Sequence, residues 1–211
     1  DVQGESFDYP EKFFEEKVHE IVRVHPDPRQ INTAAEKLKQ SKQPIIISGG
    51  GVLYSGAEEE LSLFAKKHNI PVTTTVMGIG CMDKDNPYYI SAIGCLGEGS
   101  SNSLSKDTDL ALAIGTKLAD FTTGSWSNFH NPDFKLVSLN TARFDTTKHL
   151  ATPILSDAKV GLKQLSEALG DWKAPAKWFE RAINERKEWD AYVTKQSGPT
   201  QYLFHIRINL Y

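Results

Sequence analysis

Pro44-Ile45-Ile46-Ile47-Ser48-Gly49-Gly50-Gly51 is the stretch that decides the fold. An isoleucine run that is apolar on both sides of an extended chain reads as a strand buried on both faces, not one that alternates toward solvent. The three glycines behind it demand a tight turn.

The neighbouring segments repeat this logic. Upstream, Asp27 suits an N-cap, Pro28 suits a first helical turn, and Ile31, Ala34, Ala35 and Leu38 recur at helical spacing, which predicts a helix to about Gln40. Downstream, Ser55 with Glu58 has the form of a capping box, and Leu61, Phe64 and Ala65 carry an apolar helical stripe to about His68. A strand is predicted over 70–76, broken by Gly78 and Gly80. After a glycine-rich connection at 94–99, a small-residue helix around 101–104 leads to a second unbroken apolar strand over 109–114, closed by Gly115. Further strands are predicted over 135–139, ending at Asn140, and over 153–155, with Asp157 placed to cap a helix over 158–169. Five strands separated by helices or crossovers predict an α/β fold with a doubly wound, mostly parallel, Rossmann-like sheet.

That domain spans 27–170. Before it, 1–26 reads as an arm carrying Phe7, Tyr9, Pro10, Phe13 and Phe14, with a short helix from about Glu11; so many aromatics predict that the arm packs on its own domain or on a neighbour. After it, 171–200 holds an amphipathic helix over 175–195, marked by Trp178, Ile183 and Trp189 and stopped by Gly198-Pro199. The tail 201–211 contains a strand-like stretch at 202–206. Because the chain opens on Asp1, it is read as a fragment or a processed product.

Composition narrows the class. A chain of 211 residues with 39% hydrophobic and 24% charged residues holds one good core. The net charge of -3, with Lys and Arg scattered among Asp and Glu, argues against a nucleic-acid partner. Two cysteines, Cys81 and Cys95, form neither a disulfide framework nor a zinc set, which fits the reducing cytoplasm. No apolar stretch nears the roughly 20 residues of a membrane helix.

In an open parallel sheet, ligands bind beyond the carboxyl ends of the strands. The candidate cofactor-binding residues are therefore Gly49, Gly50, Gly51, Gly115, Thr116, Asn140, Arg143 and Asp157. The triple glycine admits two readings, a structural tight turn or a phosphate cradle at a helix N-terminus. It lacks the full dinucleotide fingerprint: Tyr54 stands where the third glycine belongs, and the second strand ends in Thr73-Thr74-Thr75-Val76 with no acid to hold a ribose. No catalytic residue and no metal ligand is assigned. The six histidines are dispersed and read as surface or satisfied core, Ser125 lacks the downstream glycine of a nucleophile elbow, and both cysteines read as buried apolar thiols.

At this point the residues resemble a known family. Asp1-Val2-Gln3 looks like the end of the pyrimidine-binding domain of thiamine-diphosphate enzymes. Pro44 to Gly51, Asp109 through Asp120, and Ile154-Leu155-Ser156-Asp157-Ala158-Lys159 resemble the strands and turns of their central domain. Three longer blocks, Asp1 to Pro10, Gly94-Cys95-Leu96-Gly97-Glu98-Gly99-Ser100-Ser101-Asn102 and Phe121-Thr122-Thr123-Gly124-Ser125-Trp126, resemble the branch that opens a cyclic 1,2-dione in inositol breakdown. The resemblance covers about 1–200 and implies a hydrolase using thiamine diphosphate and magnesium. It also implies that the activating glutamate and the Gly-Asp-Gly metal motif belong to pyrimidine- and diphosphate-binding domains outside this chain. Gly170-Asp171 is followed here by Trp172. The expected role is a scaffold domain without turnover of its own, partnered by those two domains in a homo-oligomer. Some relatives hold FAD or ADP in the central domain, so a stand-alone module for NAD, FAD or ADP is the second reading. A free-standing oxidoreductase is the third.

Overall fold

A computed structural model of the chain describes residues 1–197. One sheet of six parallel strands forms the centre: β1 (Pro44–Ser48), β2 (Val72–Thr74), β3 (Tyr89–Ala92), β4 (Leu110–Ile114), β5 (Lys135–Asn140) and β6 (Thr152–Leu155). Their order across the sheet is β3-β2-β1-β4-β5-β6. The helices are α1 (Pro28–Gln40), α2 (Gly50–Ser55), α3 (Glu58–His68), α4 (Gly99–Asp107), α5 (Asp120–Thr123), α6 (Arg143–Thr147), α7 (Ala158–Leu169) and α8 (Ala176–Gln196).

The isoleucine run explains the layering. Ile46 points into a core shared with α1, α3 and α7, through Leu38, Phe64 and Leu165. Ile45 and Ile47 point the other way, into a core with Leu104 of α4 and Trp178 and Ala182 of α8. Both faces are covered, which is why the strand has no polar alternation. The Trp178 Nε1 also donates to the carbonyl of Pro44 at 2.8 Å, tying α8 to the start of β1. No helix among the described residues is long and apolar enough to cross a membrane.

Several expectations are corrected. The sheet has six strands, not five: Tyr89–Ala92 adds an edge strand beside β2. β2 is trimmed to Val72–Thr74, because Val76 already starts a 3-10 turn. The glycine turn opens directly into α2, so Ser55 ends one helix instead of capping the next; Ala57 is the N-cap of α3, and the Ser55 hydroxyl donates to Asp157 at 2.8 Å. Asp27 and Asp157 do cap α1 and α7, each accepting from a backbone amide two residues on.

The arm forms single 3-10 turns at Val2–Gly4 and Glu11–Phe14. Phe7, Tyr9, Phe13 and Phe14 cluster with ring centroids 4.7 to 6.3 Å apart, yet all remain exposed. The polar ties of the arm to the domain gather at its end. Arg23 donates to Asp157 at 2.7 Å and to the carbonyl of Ser55 at 2.9 Å, and the Val24 carbonyl accepts from the amide of Asp157. The expected stop at Gly198-Pro199 and the strand-like 202–206 lie outside the described residues.

Candidate functional site

Ser48 pairs with Ile114 on one side and with Thr74 on the other, so β1, β2 and β4 end level and their turns emerge together. The turns after β1 and β4 then meet backbone to backbone. The amide of Gly49 donates to Ile114 at 2.8 Å and that of Gly51 to Gly115 at 2.9 Å. A Cβ on Gly49 would lie 2.5 Å from the Gly115 oxygen, and one on Gly51 would lie 2.6 Å from the Gly115 Cα. Gly115 itself holds φ +58°, a conformation that favours glycine. The crevice where a doubly wound sheet changes direction is thus filled by the protein's own turn, and the Gly49 and Gly51 amides are committed inside it.

Above this contact opens a cavity of about 580 Å³. Of the residues singled out from the sequence, Gly50, Gly51, Gly115, Thr116 and Asn140 line it. Gly49 does not, Arg143 is exposed at the start of α6, and Asp157 belongs to a neighbouring hollow of about 300 Å³ beneath Ile21 and Val22 of the arm. The Asp157 carboxylate is saturated by Arg23, Ser55 and the amides of Lys159 and Val160, so it pins the arm and caps α7. The Asn140 amide group is also occupied: it donates to the Thr116 carbonyl at 3.1 Å and accepts from Ala142 at 3.0 Å.

The remaining walls are apolar and come from separate loops: Tyr54, Val76, Met77, Leu96 and Phe121. All five are large hydrophobics that stay about half exposed or more. Lys117 supplies an ammonium and Asp145 a carboxylate already paired with Lys148 at 3.4 Å. Such a lining can enclose an apolar group while offering few directed polar contacts.

One wall is knitted with unusual density. Gly94, at φ +106°, lies so close to the next loop that a Cβ would stand 2.2 Å from the Phe121 oxygen. The Cys95 amide donates to Phe121 at 2.8 Å. Asn102 accepts from the amide of Gly94 and donates to its carbonyl, both at 2.9 Å, and also accepts from Asn128 at 3.2 Å. The blocks 94–102 and 121–126 therefore form one unit that presents Leu96 and Phe121. No sequence argument about strand ends could have paired them.

Among the histidines, His68 is a structural group. His68 is fully buried, with Nδ1 2.8 Å from the Trp172 carbonyl and Nε2 2.9 Å from the Ser166 hydroxyl. A carbonyl only accepts, so Nδ1 carries the proton and Nε2 accepts. Burial holds the His68 pKa below its ordinary value, ahead of the repulsion from Lys67 and Lys173. His19, His25, His130 and His149 are exposed. Burial pushes the Cys81 thiol up, as expected of an inert buried thiol. Cys95 is corrected: it is exposed, because the turn after β3 carries it outward. No three His, Cys, Asp or Glu side chains converge as a metal site among the described residues.

Comparison with known proteins adds to this geometry. The family model for the central domain of thiamine pyrophosphate enzymes matches residues 31–165. A protein of Clostridium tetani named 3D-(3,5/4)-trihydroxycyclohexane-1,2-dione hydrolase is 38% identical over 195 residues, covering 92% of this chain and 30% of that protein. One of the same name from Clostridium perfringens is 38% identical over 189 residues (90% and 30%). Another from Geobacillus thermodenitrificans is 37% identical over 188 residues (89% and 29%). The chain spans about 30% of the length of these relatives.

Proposed function

The chain belongs to the thiamine pyrophosphate enzymes as their central domain, and we propose that it is the framework of a hydrolase that opens trihydroxycyclohexane-1,2-dione, with no turnover of its own. The observation that carries this reading is the paired wall. The two inner blocks of finest resemblance, 94–102 and 121–126, lie far apart in sequence yet join through Gly94 and Asn102 at one side of the carboxyl-edge cavity.

Thiamine diphosphate, when bound in the family, supplies a carbanion-forming ring that needs an activating acid and a magnesium cradle. The residues described here do not fit that group. Gly170-Asp171 forms the turn that ends α7 and runs into Trp172. We therefore assign both cofactors to the pyrimidine- and diphosphate-binding domains that would complete the parent chain, in a cytoplasmic homo-oligomer. This chain holds the carboxyl-edge loops at fixed spacing, with Gly50, Gly51, Gly115, Thr116 and Asn140 as the floor of the cavity.

A chimera tests the reading. With this chain in place of the matching 30% of the Clostridium tetani relative, the folded chimera should open the dione ring with thiamine diphosphate and magnesium. The 211-residue chain alone should not. A chimera that melts cooperatively yet opens no ring, or an isolated chain that does, overturns the proposal.

A further inference from the structure

The amino edge of the sheet carries a different chemistry. A cleft of about 640 Å³ opens there between the turn that follows α1, the approach to β5 and the start of α8. Lys37, Lys42, Lys135 and Lys177 line it, and none pairs with a carboxylate among the described residues. Elsewhere, Lys148, Lys159 and Lys163 each lie within 3.4 Å of an acidic oxygen.

Asp109 and Asp133 share the cleft with the four lysines and offset part of their charge, leaving the cations in excess. Asp109 is spent on the turn, accepting from the Ser41 hydroxyl and from the amides of Lys42 and Gln43 at 2.8 and 3.0 Å. Asp133 forms no ion pair among the described residues. A fifth cation, Arg181, is already paired with Asp107 at 2.5 Å and lies over the Trp178 ring. Lys37 is held at the wall by a neutral partner, donating to the Thr152 hydroxyl at 2.5 Å. Like charges around one concavity repel each other and oppose compact folding. An anion in the cleft reverses the sign of that interaction.

We propose that this amino-edge cleft binds a small phosphorylated molecule. Lysines from α1, the following turn, β5 and α8 surround the space with point charges, the arrangement that suits a phosphate group approached from several sides. Its volume accommodates a molecule of about nucleotide size. The site faces away from the carboxyl-edge cavity and stands independently of the function proposed above.

The probe is inorganic pyrophosphate, titrated by calorimetry and by thermal melting of the full 211-residue chain against sodium chloride at equal ionic strength. Saturable binding with a rise in Tm is expected. Lys42→Glu and Lys135→Glu should each weaken it about tenfold or more. Without ligand, these variants should melt at or above the parent temperature, because the repulsion is relieved. Lys42→Gln and Lys135→Gln serve if the reversals do not fold. An equal Tm shift from chloride, no saturable binding, or unchanged affinity in the variants overturns the proposal.

Discussion

Two zones at the carboxyl edge of the sheet, a few residues apart, are built on opposite terms. In the inner crevice, Gly49 and Gly51 press on Gly115 with no side chain between them, and their amides are spent on that contact. On the rim above, Tyr54, Met77, Leu96 and Phe121 turn large apolar surfaces outward. The first zone holds the fold together, whereas the second contributes surface. A glycine run that admits both a tight turn and a ligand cradle from sequence forms here a joint between two turns, and large apolar side chains lie in the loops around it.

The sharpest way to break this contrast is Gly51→Ala. The new methyl group would meet Gly115 backbone, which cannot swing aside as a flexible side chain could. We expect a loss of at least about 3 kcal/mol, read as a drop in the denaturant midpoint. A near-neutral result would mean that the joint is looser than its geometry.

Next in size is Asp157→Ala at the border of the two zones, where one carboxylate caps α7 and grips Arg23. The expected cost is about 2–3 kcal/mol. Asp157→Asn keeps an oxygen for the cap and should cost less. Limited proteolysis should cut the arm sooner in both variants.

His68 is a control remote from both zones, and its sign is fixed by burial. Its folded pKa lies below the unfolded value of about 6.5. Below that pH the unfolded chain holds a proton that the folded chain refuses. Stability is therefore fully present above about pH 6.5 and falls as pH drops toward the lowered value. Denaturation at a series of pH values should show this decline, and His68→Gln should flatten it.

The smallest effect belongs to the rim. Leu96→Ser and Phe121→Ser remove groups already in water and should change stability by about 0.5 kcal/mol or less. A large loss in either would place the rim within the fold instead of on its surface.

Legibility in the sequence followed the range of the forces involved. β1 and β4 were readable because burial on both faces leaves an unbroken apolar run, and α1 and α7 because Asp27 and Asp157 cap their own helices. β3 escaped notice because Tyr89–Ala92 is short, lies at the edge and includes Ser91. Ser55 was misread because its partner, Asp157, is 102 residues away. Five of the eight candidate residues gathered at the cavity, since strand ends are a local property. The apolar walls were invisible, because Tyr54, Met77, Leu96 and Phe121 converge only once the turns have closed.

The strand order bears on synthesis as well as on the finished molecule. β1 has β2 on one side and β4 on the other, and the partner of Pro44 in β4 is Leu110. While the polypeptide emerges from the ribosome, one flank of the isoleucine run can pair early. The other stays bare until Ile114 has cleared the exit tunnel, leaving a sticky nascent edge in the interval. Arrest with the emerged chain ending between residues 80 and 105 should therefore recruit chaperones more strongly than arrest with residue 120 already outside the tunnel.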